Sequence, residues 1–323
     1  FSAHGAMLQA QYQLIIVGGG PAGLTAGLYA ARGRLKTLLV EKGATGGQVL
    51  VTDWVDNFPG FVEVVSGFDL MDKMTAHADG LEKKFAVIKS LDLAGEIKTV
   101  TLENGESLTA STIILCTGAR PRRLGVAGEF ELSGRGVSYC ATCDGPFYRN
   151  QEIAVVGGGN TAIQDALHLT KFATRVTVIH RRDELRATKI LQEKAFCNPR
   201  IDFLWNTQVA EIRGDKSGVA ELLLRDNSGE ESTLKVTGIF VLIGVMPNSD
   251  LLPPELHTDS GGFVVTDEEM ATNLPGVYAA GDIRSKRFRQ IINAAGEGAV
   301  AELSAEHYLG SQAPVQPFNC SPS

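Results

Sequence analysis

The hydrophobic positions of this chain change their period in one order, and the order occurs twice. Residues 12–17, YQLIIV, form a near-continuous apolar run that ends at three glycines. The following PAGLTAGLYAAR places small and apolar residues three and four apart, and KTLLVE is again a continuous run that closes on an acid. This change of period predicts strand, tight turn, helix and strand, a βαβ unit. The order returns in EIAVV, GGG, NTAIQDALHL and RVTVIH. Gly18 precedes Glu41 by 23 residues and Gly157 precedes His180 by 23 residues, so the two units superimpose without a gap.

A second echo points to the layout. TIILCTGARP and IFVLIGVMP each carry an apolar strand into Gly-x-x-Pro, at Gly118/Pro121 and Gly244/Pro247. The second βαβ unit lies between these two places, and a further strand-like segment, GVYAAGDI, follows them and fits neither repeat. The expected fold class is α/β, with two Rossmann-like dinucleotide-binding domains, one inserted in the other. The outer domain comprises 7–122 and 248–316, and the inserted domain 123–247. Residues 1–6 read as a remnant ahead of Met7, lacking the basic start and apolar core of a signal peptide. The tail GSQAPVQPFNCSPS is rich in Pro and Ser and reads as disordered, with 317–323 taken as the disordered tail.

Composition narrows the function. A hydrophobic fraction of 44% in 323 residues suffices for two packed cores. Lys and Arg number 30 against 37 Asp and Glu, a net charge of -7 that argues against a general nucleic-acid binder or an anionic-membrane protein. The longest apolar run, IFVLIGVM, is strand-sized and far below the ~20 residues of a membrane span. A cytoplasmic, reducing location is expected.

Gly18, Gly20 and Gly23 form GxGxxG. The first allows the tight turn, the second admits a pyrophosphate to the backbone, and the third lets helix pack on strand with its N-terminus toward the phosphates. Glu41 stands where a carboxylate accepts ribose hydroxyls. The second unit has Gly157, Gly159 and Ala162, a GxGxxA variant. At the position of Glu41 it has His180, followed by Arg181 and Arg182, with Arg186 one turn on. A carboxylate there repels a 2′-phosphate and guanidinium groups bind one, so the first site suits a free ribose and the second suits NADPH. Two dinucleotide sites in one chain are the arrangement of a flavoprotein reductase. Asp282 in GVYAAGDI suits contact with a flavin's ribityl or phosphate groups, and Gly46–Val49, GGQV, offers backbone to a flat ring.

Cys140 and Cys143 form a CxxC just ahead of the second unit. Of the five cysteines, Cys116, Cys197 and Cys320 are scattered, so a zinc site lacks its remaining ligands, and no metal is expected. A dithiol that cycles to a disulfide is a two-electron couple matched to one hydride. Asp144, next to Cys143, can exchange the proton that thiolate chemistry requires. Cys116, at the end of TIILC, reads as a small buried hydrophobe.

CATCDG, VVGGGNTA, HRRDELRA, GVYAAGD and RQIINAAGEGAVAELSAEHYL together resemble the low-molecular-weight, bacterial-type NADPH thioredoxin reductases, from about Tyr12 to Leu309. The resemblance implies FAD in the first site, NADPH in the second, thioredoxin disulfide as acceptor, a homodimer, and rotation of the inserted domain about the two Gly-x-x-Pro crossings. It implies that Cys143 faces the flavin, that Cys140 attacks thioredoxin, and that Asp144 carries the proton. Arg289 and Gln290 match a pair beside the flavin, and Asn57 of DNFPGF matches a residue near its ring. The full FAD set is Gly18, Gly20, Pro21, Ala22, Gly23, Glu41, Lys42, Gly47, Gln48, Asn57, Thr117, Gly118, Gly281, Asp282, Arg289 and Gln290. The NADPH set is Gly157, Gly159, Asn160, Thr161, His180, Arg181, Arg182 and Arg186. The stretch GGQVLVTDWVDNFPGF departs from the threonine-rich form of many relatives, and Tyr139 places an aromatic beside the dithiol, to meet a partner or to pack.

Two rivals remain at this stage. One is a related flavoprotein with another donor or dithiol partner, ferredoxin-linked or a small-dithiol oxidase; Arg181, Arg182 and Arg186 count against donors other than NADPH. The other is a flavin redox sensor without turnover, against which stands the complete second dinucleotide site.

Overall fold

A computed structural model describes residues 10–52, 55 and 57–312. Its chain divides into two compact units: residues up to Leu50, Gly67–Ala119 and Pro247 onward make the first, and Val51–Ser66 with Arg120–Met246 make the second.

In the first unit the strand Tyr12–Val17 lies between Thr37–Glu41 and Ser107–Leu115, parallel to both. Glu82–Phe85 continues the sheet beyond Thr37–Glu41, and Lys98–Leu102 and Ile88–Asp92 extend the other side as antiparallel strands. On the edge away from Tyr12–Val17 the long strand Ser107–Leu115 serves two partners: its first half pairs Lys98–Leu102, and its last residues pair Val277–Ala279. GVYAAGDI thus adds a parallel strand to the first sheet. Leu14, Ile15 and Ile16 are 0% exposed, because a parallel strand covered on both faces buries every side chain. Their alternation divides two cores, Ile15 and Val17 on one face and Leu14 and Ile16 on the other.

The helix Pro21–Arg32 begins with Pro at its first turn, where the missing N–H costs nothing. It buries Ala22, Leu24, Ala26 and Ala30, and the three alanines admit the C-terminal helix Ile291–Gln312 at close range. That helix includes Gly310, Ser311 and Gln312, so the first three residues of the Pro- and Ser-rich tail are helical. The rest of the tail and the six N-terminal residues lie outside the described residues, as does Cys320.

Glu302 of the same helix is 1% exposed, and its Oε1 has no hydrogen-bond partner. Burial, followed by the nearby charge of Glu306, pushes its carboxyl up to about 7. The folded chain then keeps a proton that the unfolded chain has released. The associated stability is present below about pH 4.5 and is lost as pH rises through about 7, a swing of roughly 3 kcal/mol. Glu302→Gln should therefore exceed the parent in stability at pH 8 and lose that advantage at pH 4.5. Denaturant unfolding at both pH values checks this, and an equal difference at both would remove Glu302 as the source.

The second unit is built on a five-stranded parallel sheet in the order Ile201–Leu204, Arg175–Ile179, Glu152–Val156, Gly238–Val241, Val137–Ser138. A three-stranded antiparallel sheet, Thr207–Asp215, Gly218–Asp226 and Glu231–Lys235, packs its Val209, Ile212, Leu222 and Leu224 against the parallel sheet's Ala154, Val156 and Ile239. The helix Asn160–Leu169 covers the opposite face through Ala162, Ile163, Ala166 and Leu169. The two crossing strands Ala119–Pro121 and Val245–Pro247 pair as a short ribbon, each preceded by a glycine at positive φ, Gly118 at 70° and Gly244 at 117°.

Candidate active site

Each unit presents a glycine turn at the end of the strand that opens its βαβ repeat, Tyr12–Val17 in the first and Glu152–Val156 in the second. In the first, Gly18 has φ 106°, and a Cβ there would lie 2.4 Å from the Cys116 carbonyl oxygen. Gly20 caps the helix Pro21–Arg32, and nothing lies within 4 Å of the space its Cβ would fill. Free backbone N–H groups at a helix N-terminus beside an open cradle accept a phosphate. Glu41 ends the next strand. Its Oε2 accepts from Gly19 N at 2.7 Å and its Oε1 from Gly43 N at 3.1 Å, which fixes the carboxylate at the turn while leaving lone pairs for hydroxyl donors.

Gly46 N donates to Gly19 O at 2.7 Å, so the backbone of GGQV lies against the same turn. Thr117 and Gly118 follow the central strand. Asn248 secures them: Thr117 Oγ1 donates to its carbonyl at 2.9 Å, and its Nδ2 donates to Thr117 O at 2.7 Å. No sequence pattern singles out Asn248, which is 131 residues away.

Gly281–Ile283 forms one turn of 3-10 helix after the strand Val277–Ala279. Asp282 Oδ1 is buried without a hydrogen-bond partner, with Lys286 Nζ 3.4 Å away. Burial pushes the Asp282 carboxyl up, and Lys286 and Arg289 oppose that. Arg289 stacks on the Phe263 ring at 4.2 Å and donates to the Lys286 and Arg284 carbonyls. Lys42 and Gln48 are exposed, and Asn57 is an exposed residue of the segment grouped with the second unit. An open phosphate cradle, a fixed carboxylate and an orphaned carboxylate oxygen fit a dinucleotide bearing hydroxyl donors.

The second turn follows the same plan with different chemistry. Gly159 caps Asn160–Leu169 and is likewise open around its Cβ position. Arg186 N and Ala187 N both donate to Gly158 O, at 2.8 and 3.1 Å, and Thr188 N donates to Asn160 Oδ1 at 2.8 Å. These bonds draw the arginine segment onto the glycine turn. Arg181, Arg182 and Arg186 are exposed, as are Asn160 and Thr161.

His180 sits differently from its arginine neighbours. It is 6% exposed, and a Cβ on Gly158 would meet its ring at 2.3 Å, so the imidazole packs beneath the turn. Burial lowers its pKa; a backbone hydrogen bond with Glu184 opposes this, and the three arginines add to the lowering. The ring is therefore neutral near pH 7, and the positive charge for a phosphate comes from guanidinium groups. His180 Nε2 is buried without a hydrogen-bond partner, an orphan that suits a nucleotide hydroxyl.

In the same unit Cys140 and Cys143 form a disulfide with Cα atoms 5.3 Å apart. Cys140 caps the single helical turn Ala141–Asp144, and its Sγ accepts from Cys143 N at 3.2 Å. That bond favours a thiolate on Cys140 after reduction. Ala141, between the cysteines, packs into the core with Ala162 and Ala166. Ser138 is the residue the motif did not disclose: its Oγ donates to Asp144 Oδ2 at 2.5 Å and accepts from Cys140 N at 3.1 Å. It thus ties the acid to the backbone of the first cysteine. Tyr139 packs inward, its hydroxyl bonded to Glu129 Oε1 at 2.9 Å. Glu129 is 3% exposed and also receives Leu124 N and Gly125 N. Cys116 is buried, and burial pushes its thiol up, in keeping with a packing role; Cys197 is exposed. Among the described residues no group of three His, Cys, Asp or Glu is placed to hold a metal ion.

Two glycine turns of opposite ribose chemistry and a CxxC disulfide define an oxidoreductase that couples a pyridine nucleotide to a disulfide. The model of the family "Pyridine nucleotide-disulphide oxidoreductase" matches residues 12–298. A thioredoxin reductase of Listeria innocua is 48% identical over 301 residues, covering 92% of this chain and 94% of the relative. One of Bacillus subtilis is 44% identical over 301 residues, covering 92% and 95%. Among solved structures, the thioredoxin reductase of Streptococcus pyogenes superimposes with a TM-score of 0.89 at 43% identity, covering 93% of this chain and 98% of the other. The chain belongs to the pyridine nucleotide-disulphide oxidoreductases and, within them, to the thioredoxin reductase family. Members use FAD and NADPH.

Proposed function

We propose that this chain passes electrons from NADPH through FAD and the Cys140–Cys143 disulfide to the disulfide of thioredoxin. The observation that carries the reading is the disulfide built into the same compact unit as the arginine-flanked glycine turn. The relatives from Listeria innocua and Bacillus subtilis, both named thioredoxin reductases, support the acceptor. FAD belongs to the first unit and NADPH to the second. Bound FAD would supply a two-electron relay between a nicotinamide hydride and the Cys140–Cys143 disulfide.

The remaining chemistry belongs to the chain's own residues. Reduction breaks the Cys140–Cys143 bond and leaves a thiolate that the Cys143 N–H stabilises at Cys140 Sγ. Cys140 then attacks the partner's disulfide, one partner sulfur leaves, and a mixed disulfide forms. Cys143 attacks Cys140, restores the internal disulfide and releases the partner's second sulfur. Asp144, held by Ser138, exchanges the proton that the alternation of thiol and thiolate requires.

Anaerobic titration with NADPH and, separately, NADH tests the reading. Flavin bleaching by NADPH at low concentration, reversed by oxidised thioredoxin, is the expected result. No bleaching by either nucleotide would overturn the donor assignment and point to ferredoxin or another donor. Repeated turnover with thioredoxin, rather than a single discharge per molecule, separates an enzyme from a redox sensor.

Homodimer formation and a cytoplasmic location are part of the proposal. The C-terminal helix exposes Ile292, Val300 and Leu303 along one side, a face suited to a second copy. Among the described residues no helix is long and apolar enough to cross a membrane. Light scattering should give twice the mass of one chain, and fractionation should place the protein with the cytosol; a monomer or a membrane-bound pool would refute the respective statement.

A further inference from the structure

Around Asp282 the chain buries more charge than the turn itself calls for. Glu297, in the second turn of the C-terminal helix, places Oε1 2.9 Å from Arg284 Nη1, and Lys286 Nζ lies 3.1 Å from each of its oxygens. Its Oε2 also accepts from Gly281 N at 2.8 Å. The side chains of Arg284, Lys286 and Glu297 are only 12%, 11% and 14% exposed. A carboxylate held this far from water needs paired partners, and Arg284, Lys286 and the Gly281 N–H supply them.

We propose that Glu297 is a positioning residue for the flavin: through the Gly281 N–H and through Lys286 it sets the turn that presents Asp282 to the ribityl–phosphate chain. The inference rests on the assignment of FAD to the first unit. Three features carry it. Glu297 engages the backbone of the residue preceding Asp282, so it fixes the start of the turn directly. It holds Lys286 with both oxygens, and Lys286 is the cation nearest Asp282 Oδ1, at 3.4 Å and short of a hydrogen bond. Finally, Glu297 also pairs Arg284 at 2.9 Å, so the acid and two cations form one restrained group beside Asp282. Glu297 thus restrains the cations beside Asp282.

Flavin-free protein titrated with FAD, followed by quenching of flavin fluorescence, reads the effect without any turnover. Glu297→Gln should raise the FAD Kd at least tenfold. Lys286→Met should do the same, and the double variant should lose little more than either single one, because both act through one contact. Lys286→Arg, which keeps the cation, should stay within about threefold of the parent. A Glu297→Gln Kd within twofold of the parent, or single effects that multiply in the double variant, would overturn the proposal. If Glu297→Gln fails to fold, Lys286→Met and Lys286→Arg decide, and equal losses in these two would sink it. A parent protein that does not quench FAD at all refutes the flavin assignment itself, an outcome distinct from equal quenching by parent and variant.

Discussion

Replacing either Cys140 or Cys143 with serine should abolish thioredoxin reduction while flavin reduction by NADPH persists. The sulfurs are the only covalent link in the proposed electron path, and a hydroxyl neither forms a disulfide nor leaves as a thiolate. The nucleotide turns lie on other segments: Gly157–Gly159 is held by Arg186 and Ala187, and Gly18–Gly23 by Val40 and Glu41. A Cys→Ser change therefore removes the last step and leaves the first. The two variants should also differ. Cys140→Ser removes the attacking sulfur and traps no partner, whereas Cys143→Ser removes the resolving sulfur, so that reduced Cys140 captures thioredoxin in a stable mixed disulfide. Stopped-flow flavin bleaching and non-reducing electrophoresis check the pair. Full turnover by either variant would refute the dithiol assignment, and trapping by Cys140→Ser would reverse the roles.

The second large effect is expected at the NADPH turn. Removing both guanidinium groups in Arg181→Ala/Arg182→Ala should raise the KM for NADPH by roughly thirtyfold or more and leave that for NADH within about threefold. Each charge-assisted hydrogen bond to a phosphate contributes on the order of 1.5 kcal/mol, the low end being appropriate because both arginines are exposed. Two such contacts correspond to about two powers of ten. Arg186 remains, and its backbone bond to Gly158 keeps the turn in place. The NADPH effect should shrink at high salt, as an interaction between exposed charges does. Steady-state kinetics with both nucleotides would sink the 2′-phosphate assignment if NADPH lost only a few-fold.

The repeat was legible along the chain because its causes are local. A change from period two or continuous burial to helical spacing predicts Tyr12–Val17, Pro21–Arg32 and Thr37–Glu41, and again Glu152–Val156, Asn160–Leu169 and Arg175–Ile179, all of which form. Glycine positions were legible for the same reason, since Gly18 needs a positive φ that few other residues adopt. The CxxC spacing alone places both sulfurs on one helical turn. The family resemblance contributed the order of events at the dithiol, which no spacing states.

The side chains that orient these parts were not legible. Ser138 reads as a strand residue until Asp144 folds back to it, and Asn248 as a loop residue until it meets Thr117. Tyr139 could be placed beside a partner or in a core, and only the buried Glu129 decides for the core. His180 and Glu41 occupy one place in the repeat, yet the carboxylate accepts the turn's N–H whereas the imidazole packs under Gly158. Glu297 looks like one more acid on a surface helix until Lys286, Arg284 and Gly281 converge on it. Sequence by itself determined the two nucleotide turns, their opposite charge and the dithiol, because these depend on backbone conformation and on neighbours a few residues away. Only the tertiary structure decided which polar groups hold them in position, because a hydrogen bond between segments separated along the chain exists only once both are packed, and burial then decides its strength.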